Sequence, residues 1–338
     1  MLTKNTFGVD LGTSAVKIYS LRKNRLLVEK NMIAVRNGLQ VSAAGNDAFE
    51  MYEKTPPEIV VDSPVADGRI ADVDEVGMLL RLLLQRTDPH MNSSPAICFS
   101  VPVNMSGLEK RAYYAACGAG GLRSQRTFMA DRPICDAISL GIPILRTRGS
   151  MILNMGAQST SVSVIASGQV IISSSVACGG QQLDEAVLGA VRRERGLMIG
   201  AKTAGNLKAV LATFYMSGTP ESRKVVGMDA LSGLPREEEI PSGLVSEAVE
   251  TCVRKGAEEI RTLIERMPPQ VSKNLMDEGI YLTGGTSRIP GIDQYLSRIL
   301  ECRINLSGNY EYSTVRGLEE IIKHKEYQKW TYSMKDGK

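Results

Sequence analysis

The chain has 338 residues, of which 43% are hydrophobic and 23% are charged, proportions that indicate a folded protein and exclude a disordered one. Because this length exceeds the usual size of one hydrophobic core, we expect two lobes. The 40 basic and 37 acidic residues are interspersed, so nucleic-acid binding is not indicated, and no run of about 18 to 20 apolar residues predicts a transmembrane segment.

The first predicted elements form a strand hairpin with a polar turn. An apolar strand that begins near Phe7 ends in a glycine-containing turn, and a second strand follows. The polar and glycine residues of this hairpin are Asp10, Gly12, Thr13, Ser14 and Lys17. Glycine lets backbone N–H groups approach an anion, and hydroxyl groups add further donors. We therefore predict a phosphate clamp; the structural alternative is an ordinary hairpin whose turn is capped by Asp10 and whose lysine is exposed.

Strands and helices alternate between this hairpin and the middle of the chain. Lys23 and Asn24 predict a turn, and Ser106 with Glu109 has the spacing of a capping box ahead of a helix. The other predictions are a loop-rich insertion over 41–74, helices over 76–84, 110–117 and 134–140, and strands over 97–103 and 127–130. This alternation is typical of an α/β fold.

A second hairpin of the same kind begins near Met151. Its turn again places a glycine two residues after a polar side chain and then adds hydroxyl residues. The residues concerned are Asn154, Gly156, Ala157, Gln158, Ser159 and Thr160. Two copies of one arrangement indicate a duplicated phosphate clamp.

A third glycine element lies in the second half of the chain. Gly279 opens an apolar strand that leads to a tight loop of Gly284, Gly285 and Thr286, after which Pro290 helps to start a helix. We predict that this loop contacts the purine and ribose of a nucleotide and that Lys208 reaches a ribose hydroxyl; a helix cap and a solvated lysine are the structural alternatives. The other predicted elements are a strand over 171–177, helices over 183–193, 203–215 and 245–267, and a polar strand-and-turn region around Gly218-Thr219-Pro220.

The three glycine elements together resemble the nucleotide site of the actin-like ATPase superfamily, with phosphate loops at Asp10 and Asn154 and an adenosine loop at Gly284. Further segments, in order and over most of the chain, are similar to the bacterial actin MreB family. They are 41–51, Asp67-Gly-Arg-Ile-Ala-Asp, Ser100-Val-Pro with Glu109-Lys-Arg-Ala, Leu183-Asp-Glu-Ala, Leu231-Ser-Gly-Leu-Pro and Asp277-Glu-Gly-Ile-Tyr-Leu-Thr-Gly-Gly.

The resemblance implies an α/β actin-like fold of two similar lobes, divided into four subdomains around a nucleotide cleft. The first lobe would span 1–145, with a small subdomain inserted over 32–75. The second would span 146–322, with a subdomain inserted over 180–257, and 323–338 would return to the first lobe as a C-terminal helix or tail.

The resemblance also implies a cytoskeletal function. We expect ATP or ADP as the ligand, with Mg²⁺ held by Asp10 through water because this ion keeps much of its hydration shell. We expect self-assembly into filaments, a part in cell-shape determination, and contact with cell-wall or membrane-associated morphogenesis proteins. The expected location is the cytoplasm, at the inner face of the membrane, and the six widely spaced cysteines are those of a reducing compartment.

Several positions depart from the family pattern. Asp131-Arg132-Pro133 stands where the family has Glu-Glu-Pro, whose second Glu helps to position the attacking water. An arginine stays charged and cannot accept the proton of that water. Asn154 replaces an aspartate, and Ala157 and Gln158 replace glycines, whereas Ser159 keeps the hydroxyl that matches the family's catalytic threonine. We therefore predict ATP binding with weak or absent hydrolysis.

Two further departures concern the ribose and the membrane. Gly205 stands where the family has an acid three residues before Lys208, so fewer ribose contacts are expected. The family's apolar surface loop falls near His90-Met-Asn-Ser-Ser, where Met91 is the one apolar residue, so membrane contact is expected to be weak at most.

Two other functions fit parts of the pattern. A non-polymerising nucleotide-binding adaptor, like the pilus or division actin homologues, has a first hairpin similar to the segment from Gly8 to Lys17. A sugar kinase of the same superfamily shares that hairpin too, but it needs a catalytic Asp and a larger sugar-binding insert, and the sequence has neither.

Overall fold

The computed structural model describes residues 5–38, 40–92, 94–122, 126–215, 221–308 and 310–333. The chain divides into two compact units. Unit 1 comprises Met1–Arg146, Gly168–Val170 and Tyr312–Lys338, and unit 2 comprises Thr147–Ser167 and Ile171–Glu311.

The elements are numbered in chain order. The strands are β1 Thr6–Leu11, β2 Ala15–Ser20, β3 Arg25–Lys30, β4 Ile33–Arg36, β5 Gln40–Ala44, β6 Ile59–Asp62, β7 Val65–Ala66, β8 Arg69–Ile70, β9 Ala96–Val101, β10 Thr127–Asp131, β11 Arg148–Met155, β12 Thr160–Ala166, β13 Gln169–Val176, β14 Leu197–Met198, β15 Ser222–Asp229, β16 Pro235–Pro241, β17 Ile280–Thr283, β18 Ile304–Leu306 and β19 Thr331–Tyr332. The helices are α1 Asn46–Met51, α2 Val73–Thr87, α3 Gly107–Ala119, α4 Arg132–Ser139, α5 Gly180–Arg195, α6 Ala201–Leu211, α7 Ser242–Glu265, α8 Pro269–Glu278, α9 Ile292–Leu300 and α10 Ser313–Lys323. Short 3₁₀ helices cover Gly285–Arg288, Tyr310–Tyr312 and Lys325–Trp330.

Unit 1 is built on a mixed sheet with the strand order β19-β10-β9-β1-β2-β3. β1 and β9 are buried along their whole length, and their apolar residues lie at the centre of the unit's core. β1, β9 and β10 run parallel, with Asp10 beside Ser100 and Ser100 beside Ala130. Because parallel strands end at one edge of a sheet, Asp10, Ser100 and the start of α4 come together there.

The insertion of unit 1 contains regular structure where the sequence predicts mostly loop. β4 lies between β5 and β6 in a small antiparallel sheet, β7 pairs with β8, and α1 covers a small apolar cluster around Ala34, Ala48 and Ile59. The loop-rich prediction for 41–74 is therefore wrong. Elements of two to six residues, separated by Pro56, Pro57 and similar breakers, are too short to show a hydrophobic period.

The last part of the chain also belongs to unit 1. α10 packs against α4, where the hydroxyl of Thr314 donates to the buried carboxylate of Asp136 at 2.7 Å. After the 3₁₀ helix Lys325–Trp330, β19 pairs with β10 in the main sheet. The predicted tail over 323–338 is thus a 3₁₀ helix and a sheet strand as far as residue 333, and the α-helix of this region precedes it.

Unit 2 repeats the architecture around the sheet β13-β12-β11-β17-β18. β11, β17 and β18 run parallel, and β11 and β12 form the second hairpin. A separate antiparallel sheet of β14, β15 and β16 lies beside α5 and α6. None of the described helices is both long enough and apolar enough to cross a bilayer.

Two helix predictions for unit 2 are wrong in their details. The helix predicted over 203–215 ends at Leu211, because Ala212 is extended and the Phe214 amide donates to the Pro290 carbonyl at 2.8 Å. Pro268 and Pro269, expected only to end α7, also start α8, as proline can occupy the first turn of a helix. The predicted turn at Gly218-Thr219-Pro220 lies outside the described residues.

Candidate functional site

The Asp10 carboxylate is the centre of the first hairpin's polar residues. It is 5% exposed, and its Oδ1 accepts a hydrogen bond from the Ser100 hydroxyl at 2.7 Å. Lys17, its cross-strand partner, places Nζ 3.4 Å from Oδ2. Nη2 of Arg132, at the start of α4, lies 3.9 Å from Oδ1. The structure thus brings the predicted residues Asp10 and Lys17 together with Arg132.

The groups around Asp10 keep its carboxylate negatively charged. Burial raises the pKa of Asp10, but Lys17, Arg132 and the Ser100 hydrogen bond together bring that pKa below its ordinary value. The carboxylate is therefore ionised at neutral pH. Two cations face one anion, and this arrangement can attract a further anion such as a phosphate.

The turn of the first hairpin is held by the chain around it. The Gly12 amide donates to the Ala15 carbonyl at 3.1 Å, which closes the turn. The Thr13 hydroxyl accepts a hydrogen bond from the Asp67 amide at 2.8 Å, and Asn31 donates to the Thr13 carbonyl at 2.9 Å. Ser14, in contrast, is exposed. Thr13 therefore ties the turn to the inserted hairpin of β7 and β8.

The turn of the second hairpin is packed on the start of α5. The Gly156 amide donates to the Ser159 carbonyl at 2.9 Å, and the Gly180 amide donates to the Gly156 carbonyl at 3.0 Å. The Gln181 amide donates to the Ala157 carbonyl at 2.7 Å. Several predicted residues thus sit in one turn whose carbonyl groups are already hydrogen-bonded. They are Gly156, Ala157, Gln158, Ser159 and Thr160, with Asn154 at the end of β11 beside Thr283 of β17.

Close backbone approach explains the glycine that precedes α5. A Cβ at Gly179 would lie 2.6 Å from the Ser159 amide nitrogen, closer than side-chain carbons come to other atoms. The neighbouring Thr160 hydroxyl donates a short hydrogen bond to the Cys178 carbonyl. The turn of the second hairpin and the entry to α5 are therefore packed directly against each other.

The third glycine element touches the same turn. Gly284 has a φ of +93°, and a Cβ there would lie 2.7 Å from the Met155 nitrogen and overlap its carbonyl oxygen. The Thr286 hydroxyl donates to the Gly156 carbonyl at 2.7 Å. The tight loop predicted at Gly284 and Gly285 is a 3₁₀ turn, and α9 begins at Ile292, close to the helix start predicted at Pro290.

Lys208 is anchored at the start of α5. Its Nζ lies 2.7 Å from the Asp184 Oδ1 and donates to the Gly180 carbonyl, also at 2.7 Å. A Cβ on Gly205 would lie 3.6 Å from the same Asp184 oxygen, so Asp184 supplies, from another helix, an acidic partner for the lysine. Lys208 therefore joins the predicted site residues of unit 2 through Asp184 and Gly180.

Sequence reasoning missed three residues of these clusters. Ser100 is the polar residue of an otherwise apolar buried strand, and that contrast is a usable signal. Asp184 follows Gly180 by one helical turn, but nothing local indicates that it pairs with Lys208, 24 positions away. Asn31, which is fully buried and holds Thr13, also gives no local signal.

The architecture is that of the actin-like proteins. The structure matches MreB5 of Spiroplasma citri bound to AMPPNP with a TM-score of 0.88, at 26% identity, over 96% of this chain and 97% of that one. It also matches the fold of the MamK double helical filament with a TM-score of 0.74, at 20% identity, over 94% of this chain and 98% of that one. The predicted α/β actin-like fold is confirmed.

The sequence defines the family within this class. Residues 4–329 match the sequence model of the family described as MreB/Mbl protein. The chain is 31% identical over 304 residues to the cell shape-determining protein Mbl of Bacillus subtilis, covering 89% of this chain and 91% of Mbl. It is 30% identical over 299 residues to the cell shape-determining protein MreB of Escherichia coli, covering 86% of each. The chain belongs to the MreB/Mbl family, and the predicted resemblance is confirmed.

Proposed function

We propose that this chain is a nucleotide-binding bacterial actin that assembles with copies of itself and takes part in cell-shape determination. Its membership of the MreB/Mbl family supports the proposal, since the relatives from Bacillus subtilis and Escherichia coli are cell shape-determining proteins. The structures of MreB5 with AMPPNP and with ADP support adenine nucleotides as the ligand. ATP and ADP are therefore the nucleotides that we propose.

The two glycine hairpins are the proposed phosphate-binding elements. The observation that carries this proposal is the cluster at Asp10, where Lys17 and Arg132 give an excess of positive charge at the end of a buried strand. The second hairpin would contribute the turn from Gly156 to Ser159. The loop from Gly284 to Thr286, with Lys208, would face the adenosine.

Weak or absent ATP hydrolysis is part of the proposal. Arg132 occupies the position of the family's water-positioning Glu, and its permanent charge prevents it from accepting a proton. Ser159 keeps a hydroxyl on the second hairpin, which can hold a phosphate oxygen but supplies no base. Nucleotide would thus act as a bound ligand more than as a substrate.

The residues at Asp10 fit Mg²⁺ poorly. Mg²⁺ in proteins is bound by carboxylates together with water and substrate phosphates. The Asp10 carboxylate is already paired with Lys17 and Arg132. We therefore assign no step of the proposed function to the metal ion predicted at Asp10.

Membrane contact is proposed to be weak. Met91, the apolar residue of the segment near His90, is half-buried and packs against the core of unit 1. Full burial of one such side chain in a membrane contributes about 1.5 to 3 kcal/mol, so only many copies in a filament would hold it there. We propose a cytoplasmic protein whose partners at the inner face of the membrane are morphogenesis proteins.

The test is polymerisation with nucleotide. Purified full-length chain should pellet in the presence of ATP and show protofilaments by electron microscopy, and titration calorimetry should show ATP and ADP binding. A protein that binds nucleotide but stays monomeric at high concentration would favour the non-polymerising adaptor. A protein that binds neither ATP nor ADP would contradict the proposal.

A further inference from the structure

Arg132 carries an unused hydrogen-bond donor beside the Asp10 carboxylate. Its Nη2 atom is shielded from solvent and makes no hydrogen bond with the described residues. The side chain as a whole is 20% exposed. A buried guanidinium N–H without an acceptor is costly, so such a donor in a native structure calls for an explanation.

Asp10 does not satisfy this donor. The separation of 3.9 Å between Nη2 and Oδ1 is that of an ion pair and exceeds the length of a hydrogen bond. Oδ1 instead accepts from the Ser100 hydroxyl, and Oδ2 faces Lys17. The guanidinium is therefore held near the carboxylate with a donor left for another oxygen.

The acid that precedes Arg132 in the chain is engaged elsewhere. Asp131, which precedes Arg132, accepts a hydrogen bond from the Tyr332 hydroxyl at 3.0 Å, on the strand pair β10 and β19. The cluster at Asp10 thus has two cations for one available carboxylate. Such a field repels a divalent cation and attracts a phosphate, which a guanidinium can bind through two N–H groups.

We infer that Arg132, assisted by Lys17, takes the place of a divalent metal ion at the phosphates of the nucleotide, so that binding of ADP and ATP needs no Mg²⁺. The inference rests on the proposed nucleotide binding. A fixed guanidinium supplies part of the positive charge that a metal ion would bring.

The test is titration calorimetry of the full chain with ADP, once in EDTA and once in excess Mg²⁺. The two dissociation constants of the wild-type protein should agree within about threefold. Arg132→Gln should bind ADP about tenfold or more weakly in EDTA, since a hydrogen bond to a charged group is lost. Arg111→Gln, a change of an exposed arginine on α3, is the matched control and should bind as the wild type does.

The possible outcomes distinguish a failure of this inference from a failure of the proposed nucleotide binding. Wild-type binding that is about tenfold or more tighter in Mg²⁺ than in EDTA would overturn the inference, and this comparison needs no variant. Unchanged binding by a folded Arg132→Gln in EDTA would overturn it as well. Should Arg132→Gln fail to fold, Arg132→Lys is the variant to use, because it keeps the positive charge. Arg132→Lys should bind ADP in EDTA, and this binding should weaken when 1 M salt is added. No binding of ADP by the wild type in either buffer would instead contradict the proposed nucleotide function.

Discussion

The contact between α10 and α4 depends on a glycine that has no room for a side chain. A Cβ on Gly317 would lie 2.7 Å from the Cα of Cys135 and would overlap the Cys135 carbonyl oxygen. Cys135 is on α4, one turn after Arg132. The change Gly317→Ala therefore tests whether the position of α4 depends on this close helix packing.

The expected size of the effect follows from two opposing contributions. Alanine in place of glycine favours a helix by about 1 kcal/mol. Overpacking in a well-packed core costs about 1 to 3 kcal/mol, and the upper end applies because the opposing atoms are backbone and cannot rotate away. Even the 2.7 Å contact between this Cβ and the Cys135 Cα is much shorter than an ordinary van der Waals contact, so α10 must move. We expect a net loss of about 2 kcal/mol.

Guanidinium denaturation followed by tryptophan fluorescence measures this loss. Trp330 is the chain's single tryptophan, lies after α10 in unit 1, and donates from Nε1 to the Gly168 carbonyl at 3.1 Å. Gly118→Ala is the control, since Gly118 is an exposed residue of α3 with open space around its Cα. That variant should match the wild type or gain up to about 1 kcal/mol. A Gly317→Ala protein as stable as the Gly118→Ala protein would refute the packing explanation.

Three further predictions concern the clusters themselves. Gly284→Ala should destabilise unit 2 by about 2 kcal/mol or more, as measured by circular dichroism in urea, because a Cβ there overlaps the Met155 carbonyl and φ is +93°. Asp10→Asn should lower the free energy of unfolding at pH 7, and the difference from wild type should shrink as the pH falls below about 4. The depressed pKa of Asp10 means that its ionised form stabilises the fold above the unfolded-state pKa, and this contribution is lost as the pH falls through the folded-state pKa. A hydrogen bond from Cys178 holds the pKa of Cys252 below its usual range, so iodoacetamide should modify Cys252 at pH 7 more slowly in Cys178→Ala, by mass spectrometry.

Short-range sequence patterns predicted the hairpins and the start of α3 correctly. The glycine hairpins fold as predicted, and Ser106 with Glu109 forms both hydrogen bonds of a capping box at the start of α3. The misplaced end of α6 has a non-local cause, because the Phe214 ring packs against Tyr295 with 4.5 Å between ring centroids. A contact with a distant segment cannot be read from the hydrophobic period of the helix itself.

The residues of the candidate site likewise fall into those that a local pattern predicts and those that depend on contacts between distant segments. Asp10 and Lys17 follow from the hairpin, since the antiparallel register of two adjacent strands places them opposite each other. The hydrogen bond from Ser100 spans 90 positions of the chain and depends on which strands the fold makes neighbours. Asp184 pairs with Lys208 across two helices, so composition and spacing could not assign it.

The most direct measurement for the account as a whole is phosphate release from ATP under conditions where ATP is shown to be bound. Positioned proton transfer contributes on the order of a hundredfold to ten-thousandfold in rate, and Arg132 cannot supply it. We expect the wild-type chain to release phosphate at least about a hundredfold more slowly than an MreB that has the Glu-Glu-Pro motif, and Arg132→Glu to release it faster. Turnover by the wild-type chain equal to that of such an MreB would contradict the account.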